Sequence, residues 1–257
     1  MKHQNNAIPA VASWPLSLWA WLFVALGTTI FFFIGLFVLF PLSILFENGS
    51  GRLTHRLAQF WAKMIYRTIP VWKLETQGLG KIQAEKTYVV VSNHQSLLDI
   101  LVLLAVLPLH FKFIAKRELF WIPFFGWYMW LARYLPLKRG DPESGRACLE
   151  KARCWLRQGV SMVFFPEGTR SPDGEIHLFK PGAFKLALEE TQDILPLVIS
   201  GTREAIPKYS WRIEKRARFF LSVQDPISVK EWSEKPLEEL RGLVYSVITG
   251  EFERIRS

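Results

Sequence analysis

The feature that most constrains this chain is a run of 33 residues, Trp14–Phe46, that contains no charged side chain. As one continuous helix the run would be roughly 50 Å long, against a bilayer hydrocarbon core of about 30 Å. It is too long for the apolar region of a signal peptide and lacks a small-x-small cleavage site. The run therefore predicts an N-terminal membrane-helix anchor that is either tilted or broken near Gly35 or Pro41.

The next segment, residues 52–67, carries two stripes of side chains at helical spacing. One stripe is apolar and the other is largely cationic, which is typical of a helix that lies in an anionic membrane interface. The alternative is an ordinary surface helix packed on its own domain. The apolar stripe is Leu53, Leu57, Phe60, Trp61, Met64 and Ile65, and the polar stripe is Arg52, Arg56, Gln59, Lys63 and Arg67.

The formal net charge of +9 suits an anionic partner, such as a membrane surface, a nucleic acid or a phosphorylated substrate. Basic residues follow Phe46 closely, whereas the first 13 residues offer Lys2 and the terminal amine. The positive-inside rule then puts the body of the protein in the cytoplasm, at the inner (cytoplasmic) membrane. We predict a membrane-anchoring helical segment over residues 1–70 and an α/β domain over residues 71–257.

Beyond Pro70, predicted strands alternate with predicted helices, which indicates an α/β fold with a largely parallel sheet flanked by helices. The runs 87–92 and 160–165 are nearly continuous apolar strands, of the kind that is buried on both faces of such a sheet. Pro196 interrupts the strand predicted over 194–200, so that strand is expected at an edge or with a bulge. Reactive side chains are expected just beyond the carboxyl ends of the strands.

A histidine and a carboxylate stand at the first of these strand ends. His94 follows the strand directly, and Asp99 comes five residues later. Because positions five apart point about 140° apart on a helix, we expect His94 on the loop and Asp99 in the first helical turn, reaching back to the imidazole. The pair would then form a general base whose tautomer is fixed by the acid. A helix-capping histidine near a solvated aspartate is the structural alternative.

The second strand end carries a turn with a carboxylate and an arginine. Glu167 could orient a substrate hydroxyl or help to place Arg170, and Arg170 could fork onto a phosphate or carboxylate. Backbone amides of the turn at Gly168 and Thr169 could stabilise an oxyanion. As an isolated string, this sequence could equally be a surface turn.

Two more cations, Lys116 and Arg139, lie close to bulky apolar residues in the sequence. Cations that border greasy surface suit a phosphate head group on an acyl tail, although a core segment with snorkelling side chains has the same composition. No cluster of cysteine and histidine has the spacing of zinc ligands, so no metal is expected.

Taken together, these motifs resemble the phosphatidic-acid-forming lysophospholipid acyltransferases, the family of 1-acyl-glycerol-3-phosphate O-acyltransferases. The resemblance covers about residues 52–225 and rests on motifs in four ordered regions. They are Asn93-His94-Gln-Ser-Leu-Leu-Asp99, Lys116-x2-Leu119-x6-Gly126-x12-Arg139, Phe165-Pro-Glu-Gly-Thr-Arg170, and Phe179-Lys-Pro-Gly-Ala-Phe-Lys-Leu-Ala187 followed by Leu195-Pro196-Leu-Val. One departure is Lys138, which stands where many members have an acid.

The resemblance implies a membrane-anchored enzyme that moves a fatty acyl group from an acyl thioester to the free hydroxyl of 1-acyl-glycerol-3-phosphate. The donor would be acyl-CoA or acyl carrier protein, and the other partners would be the lipid acceptor and the bilayer. The resemblance implies no cofactor, no metal and no nucleic-acid partner. It also implies no covalent acyl-enzyme. The expected site residues are His94, Asp99 and Glu167 for catalysis, and Lys116, Arg139, Gly168, Thr169 and Arg170 for substrate binding.

Other functions stay open at this point. Lys138 leaves room for another acceptor, such as a lyso-ornithine lipid or a lysophospholipid that is being remodelled. Outside this class, His94, Asp99 and Glu167 could be metal ligands of a membrane-bound phosphohydrolase. Against that function, only one histidine stands at the site and no run of carboxylates accompanies it. A catalytically inactive lipid-binding protein would not need both the base and its partner.

Overall fold

The structure, a computed structural model, describes residues 13–47, 50–69, 71–206, 212–213 and 217–257. Among these residues, seven strands form one sheet. The strands are β1 (Trp72–Gln77), β2 (Val89–Ser92), β3 (Phe111–Lys116), β4 (Leu135–Leu137), β5 (Ser161–Phe164), β6 (Ile194–Ser200) and β7 (Ala217–Val223). The helices are α1 (Ser13–Ile34), α2 (Phe40–Phe46), α3 (Arg52–Thr68), α4 (Leu98–Val106), α5 (Phe125–Leu131), α6 (Pro142–Arg157), α7 (Gly182–Glu189), α8 (Thr202–Ala205) and α9 (Leu237–Arg256).

The strand order is β1-β7-β6-β2-β5-β3-β4, and every neighbouring pair is parallel except β6 with β7. The predicted α/β fold with a largely parallel sheet is therefore confirmed. The central strands β2 and β5 are buried at every residue, which explains why both read as continuous apolar runs rather than as alternating ones.

Helices cover both faces of the sheet. Successive residues of a strand face opposite sides, and Val90 accordingly packs with α3, α4 and α5, whereas Val89 and Val91 pack with α6, α7 and α9. Because these strands are parallel, the carboxyl ends of β2, β3, β4, β5 and β6 lie at one shared edge of the sheet. We call this the carboxyl edge.

Among the described residues, one helix, Trp14–Phe46, is long and apolar enough to cross a membrane. Only 17% of its most apolar 18-residue stretch is buried. It has an irregularity in the region where a break was expected, because residues Gly35–Leu39 form a π-helical turn between α1 and α2. The N–H of Phe40 donates to the carbonyl of Gly35, five residues back. Pro41 lacks the N–H that would continue the regular ladder, so the wider turn accommodates it.

The helix predicted over residues 52–67 is present as α3, and it packs on the α/β domain and on α1. Its buried positions include Ala58, Ala62 and Ile65, and Ile65 belongs to the same hydrophobic core as Val90 of β2. The Trp61 ring, one helical turn before Ile65, stacks on Phe31 of α1 at 4.9 Å. Gly27 makes room for it, since a Cβ there would lie 1.9 Å from the Trp61 ring. Packing on its own domain is thus part of what α3 does, and its role in a membrane interface stays a prediction.

Pro196 lies inside the sheet, so the prediction that its strand is at an edge is wrong. β6 runs between β7 and β2, and Pro196 is in register with Val91. The Pro196 carbonyl accepts a hydrogen bond from the Gln224 N–H at 3.0 Å, so the backbone polar groups of Pro196 face the β7 side. The β6–β7 ladder ends at the pair Leu197–Val223. The missing N–H therefore falls between the end of that ladder and the isolated bridge Ile194–Ile227.

Two parts of the sequence prediction lie outside the described residues. Lys2, which entered the charge asymmetry used to orient the chain, is in residues 1–12. Pro70, at the predicted boundary between the helical segment and the α/β domain, is also outside.

Candidate active site

The loop after β2 is hydrogen-bonded to the neighbouring strand β6 through Asn93, the residue before His94. The side-chain amide of Asn93 donates to the Ile199 carbonyl at 2.8 Å, and its oxygen accepts from the Ile199 N–H at 2.8 Å. This pair of bonds copies a backbone ladder between β2 and β6. It holds His94 at the carboxyl edge, where the sequence predicted a reactive group.

His94 and Asp99 are in direct contact, as expected from the sequence. Asp99 lies in the first turn of α4, and its Oδ2 is 2.7 Å from the His94 Nδ1. Because an ionised carboxylate can only accept, Nδ1 carries the hydrogen, and Nε2 of the neutral ring is the nitrogen that can take a proton. The Phe165 ring stacks on the imidazole with centroids 4.1 Å apart, which fixes the plane of the ring.

The Asp99 carboxylate is fully buried and surrounded by donors. Its Oδ2 also accepts from the backbone N–H groups of Gln95 at 2.7 Å and Ser96 at 2.9 Å. Its Oδ1 accepts from the hydroxyl of Thr202 at 2.5 Å. A buried charge is tolerated when its acceptor sites are filled in this way. The helix-capping alternative with a solvated aspartate is therefore excluded for this pair.

Thr202 is a site residue that the sequence interpretation missed. It is fully buried at the start of α8, directly after β6, and its hydroxyl reaches Asp99 across 103 positions of sequence. A polar residue after the carboxyl end of a parallel strand was the available signal. The interpretation applied that signal to the ends of β2 and β5 but not to the end of β6.

Glu167 joins two loops through its carboxylate. Oε1 accepts from the His94 backbone N–H at 2.8 Å, and Oε2 accepts from the His177 backbone N–H at 3.1 Å. Burial raises the pKa of Glu167 above its ordinary value, and the two backbone donors oppose that shift. The geometry therefore gives Glu167 a positioning contact with the backbone of His94. A contact with a substrate hydroxyl stays a prediction.

The turn after β5 leaves backbone amides available. Gly168 adopts a positive φ of 73°, its N–H donates to the Phe165 carbonyl at 2.9 Å, and the Ser171 N–H donates to the His94 carbonyl at 2.8 Å. Within the described part of the chain, the intervening N–H groups of Thr169 and Arg170 have no protein acceptor. These two amides, together with the Glu167 N–H, which also has no protein acceptor among the described residues, could donate to an oxyanion.

A further cation reaches this turn and was not assigned from the sequence. A Cβ added to Gly168 would lie 2.7 Å from the Lys180 Nζ, so the Lys180 ammonium lies against the turn backbone. Lys180 belongs to the fourth motif region quoted above, and that position was the signal for it.

Lys116 and Arg139 lie at the same edge, further from His94. Lys116 ends β3 in register with Leu137 of β4, two residues before Arg139. The pKa of the exposed Glu118 is held below its usual range by its own backbone N–H, with the charges of Lys116 and Arg139 contributing. Both cations therefore lie near the Glu118 carboxylate. Strands are about 4.8 Å apart, which puts the end of β4 roughly 14 Å from the end of β2. Neither of these two cations makes a direct contact with His94.

The residue at the departure from the family pattern is also at this edge. The Lys138 ammonium is 3.3 Å from the carboxylate of Asp141. Asp141 caps α6, accepting from the backbone N–H groups of Glu143 at 3.1 Å and Ser144 at 3.2 Å. Lys138 is thus paired with Asp141, the residue that caps the start of α6.

The donor set for a metal is poor. Among the described residues, no three His, Cys, Asp or Glu side chains come together in a way that could hold a metal ion. At the site itself, the oxygens of Asp99 and Glu167 already accept hydrogen bonds from the protein. A metal bound there would have to displace those donors.

Comparison with known proteins defines the class. The profile of the acyltransferase family matches residues 73–200, which contain every site residue predicted from the sequence, and Thr202 lies just beyond them. A crystal structure of the 1-acyl-sn-glycerophosphate (LPA) acyltransferase PlsC from Thermotoga maritima superposes with a TM-score of 0.79 and 30% sequence identity, covering 96% of this chain and 98% of that chain. The chain belongs to the acyltransferase family that includes the 1-acyl-sn-glycerol-3-phosphate acyltransferases.

Curated relatives carry the same name. The chain is 39% identical to the chloroplastic 1-acyl-sn-glycerol-3-phosphate acyltransferase of Arabidopsis thaliana over 189 residues, which are 73% of this chain and 52% of the relative. It is 37% identical to the alpha enzyme of Mus musculus over 187 residues, which are 72% of this chain and 64% of the relative. The chain thus spans less than two thirds of the length of either relative.

The Thr202 contact yields a prediction that distinguishes the role of the hydroxyl group from that of the side-chain volume. Thr202→Val removes the donor while conserving volume, and a hydrogen bond to a buried charge contributes about 1.5–3 kcal/mol. We expect a lower melting temperature in calorimetry and a lower kcat for acyl transfer. Thr202→Ser keeps the hydroxyl and should restore most of both. If the valine variant kept the wild-type kcat, Thr202 would have no part in positioning Asp99.

Proposed function

We propose that this protein moves a fatty acyl group from an acyl thioester to the free hydroxyl of a lysophospholipid, with 1-acyl-glycerol-3-phosphate as acceptor and phosphatidic acid as product. The observation that carries the proposal is the 2.7 Å contact between His94 Nδ1 and a fully buried Asp99 at the carboxyl edge. The names of the relatives support the acceptor, and the donor is acyl-CoA or acyl carrier protein.

His94 acts as the general base in this mechanism. Its Nε2 takes the proton of the acceptor hydroxyl, and the oxygen attacks the thioester carbonyl carbon. A C–O bond forms, the carbonyl oxygen becomes an oxyanion, and the amides of Thr169 and Arg170 donate to it. The C–S bond then breaks, and the thiolate takes the proton back from the imidazolium. Asp99 stabilises the imidazolium between these steps.

The cations of the carboxyl edge bind the acceptor phosphate. Within the described residues, Arg139 and Arg170 make no ion pair with a carboxylate, so their guanidinium groups are available to a ligand; Lys116 lies 3.5 Å from the exposed Glu118. A guanidinium can grip phosphate through two parallel hydrogen bonds. The long side chains of Lys116 and Arg139 would reach from β3 and β4 toward the glycerol held beside His94.

The membrane side of the molecule continues from α1 to the segment after β3. Phe32 of α1 contacts Phe124 at 5.8 Å and Trp127 at 5.8 Å. Next to them, Trp121 and Trp130 are 67% and 49% exposed. This segment starts at Lys116, so an apolar surface adjoins the proposed phosphate site. We propose that the chain is held at the cytoplasmic membrane with this surface in the bilayer, which lets a lysolipid enter sideways.

The central experiment uses purified protein with a panel of lysolipids and one acyl thioester, with products read by mass spectrometry. We expect acylated 1-acyl-glycerol-3-phosphate, with His94→Ala reducing the rate by roughly 10²–10⁴-fold. His177→Ala is the matched control, because that ring is exposed and bonds only Asp173 among the described residues. A metal chelator should leave the rate unchanged. Phosphate release that stops with chelator would instead support a phosphohydrolase. Preference for another lysolipid would correct the head group alone.

The phosphate assignment predicts a change in one Michaelis constant. Arg139→Lys or Arg170→Lys keeps the charge but loses the fork, so the acceptor KM should rise while the donor KM hardly moves. Arg157→Lys is the control, since Arg157 pairs with Glu190 on the surface. A rise confined to the donor KM would assign these cations to the donor.

The membrane assignment predicts a loss that depends on how the acceptor is presented. Trp121→Glu should lower turnover of acceptor embedded in vesicles and spare a short-chain acceptor in detergent, because it charges the apolar surface. Leu243→Glu is the control, since Leu243 is 38% exposed on α9, in the other helix layer. Equal loss on both acceptors would mean that Trp121 supports the fold instead.

A further inference from the structure

A polar cleft lies at the opposite edge of the sheet from the proposed active site. Its volume is about 400 Å³, and it is bordered by the start of α3 and by the segments that lead into β2, β3 and β5. β2 and β5 have four residues each, so about 13 Å of strand separates this amino-edge cleft from the carboxyl edge. Its charged and polar lining residues include Arg52, Arg56, Gln59, Glu85, Lys86 and His110.

The charge of the cleft is positive. Arg52 and Arg56 are one helical turn apart on α3, and both are exposed. Among the described residues, neither forms an ion pair. Lys86 is 4.0 Å from Asp193 and is therefore partly compensated, and Glu85 contributes one negative charge to the lining. The two arginines are the cations of this cleft that have no counter-charge of their own.

A histidine in the same cleft lacks hydrogen-bond partners. Both ring nitrogens of His110 are enclosed, and neither has a partner among the described residues. The neighbouring His55 is satisfied: its Nε2 donates to the Leu109 carbonyl at 3.2 Å, so its Nδ1 accepts from the Tyr134 hydroxyl at 3.2 Å. Enclosed polar atoms normally find a partner. The unpaired nitrogens of His110 therefore point to a ligand that displaces the side chains covering them and brings its own acceptors or donors.

The surroundings of His110 also specify the sign of that ligand. Burial, with the charges of Lys112, Arg52 and Arg56, lowers the pKa of His110 to about 3, so its ring is neutral. A neutral imidazole offers one N–H donor. An anion can accept a hydrogen bond from this N–H while its charge compensates the two arginines.

We propose that the amino-edge cleft binds a phosphate group through Arg52, Arg56 and the ring N–H of His110. Paired arginines and a neutral donor match the several acceptor oxygens of a phosphate. The cleft is a binding site rather than a second reaction centre, because it lies across the sheet from His94. It is independent of the acyl-transfer proposal.

The phosphate could belong to a membrane lipid or be free in solution. α3 begins at Arg52, six residues after the apolar helix ends at Phe46, and Leu45 and Phe46 at the end of that helix are 73% and 78% exposed. The cleft is therefore close in sequence to apolar surface, where an anionic head group would be found. A soluble phosphate compound would use the same three groups.

The histidines make these sources distinguishable in one spectrum. The chain has 5 His, so selective labelling of histidine rings gives few signals, with His110 reporting the cleft and His94 reporting the carboxyl edge. The full-length protein in detergent is titrated with inorganic phosphate. It is then transferred to phosphatidylcholine bilayers with and without phosphatidylglycerol. We expect a saturable shift of the His110 signals. A shift with inorganic phosphate indicates a free phosphate, and a shift only with phosphatidylglycerol indicates a lipid head group.

Variants test whether the two arginines form the site. R52Q/R56Q should weaken the ligand that shifts His110 by at least roughly tenfold, since it removes charge-assisted bonds. K63Q/R67Q is the matched control, because it removes the same charge from exposed positions of the same helix and should change the affinity less than about twofold. R52K/R56K keeps the charge and should give an intermediate affinity, which guards against a misfolded glutamine variant. No His110 shift with either probe, or equal weakening in R52Q/R56Q and K63Q/R67Q, would overturn the proposal.

Discussion

The structure of the site depends on one buried charge, the carboxylate of Asp99. It accepts hydrogen bonds from the His94 ring, from the backbone N–H groups of Gln95 and Ser96, and from the hydroxyl of Thr202. These donors come from the loop after β2 and from the segment after β6, while Asp99 itself lies in the first turn of α4. A buried carboxylate that lost its partners would cost several kcal/mol, so the three segments are held together by the need to satisfy it.

The order of the strands explains why that charge can serve a reaction. β2 lies between β6 and β5, so its loop is flanked by Thr202 on one side and by Glu167 on the other. Glu167 then fixes the His94 backbone, and the Phe165 ring fixes the imidazole. The histidine is thus held at its backbone, its ring plane and its tautomer. Preorganisation of this kind is what general-base catalysis and oxyanion stabilisation require.

Much of this arrangement could be predicted because it is encoded locally. The apolar runs of β2 and β5 specify buried parallel strands, and the spacing of His94 and Asp99 specifies a loop residue and a first-turn acid. The contacts that were missed join residues far apart in sequence, such as Thr202 with Asp99 and Asn93 with Ile199. Pro196 was misjudged because its tolerance depends on where a neighbouring ladder ends. His110 could not be singled out from the sequence, since its enclosure without hydrogen-bond partners depends on the packing of α3 beside it.

The claim that Asp99 sets the working state of His94 can be tested by nitrogen NMR of the histidine ring. In the wild-type protein, the neutral His94 ring is predicted to carry its hydrogen on Nδ1, with Nε2 unprotonated and able to accept a proton. In Asp99→Asn, the amide can donate to Nδ1, so the Nε2-protonated tautomer should gain population. A wild-type ring protonated on Nε2, or a tautomer that does not respond to Asp99→Asn, would contradict the account.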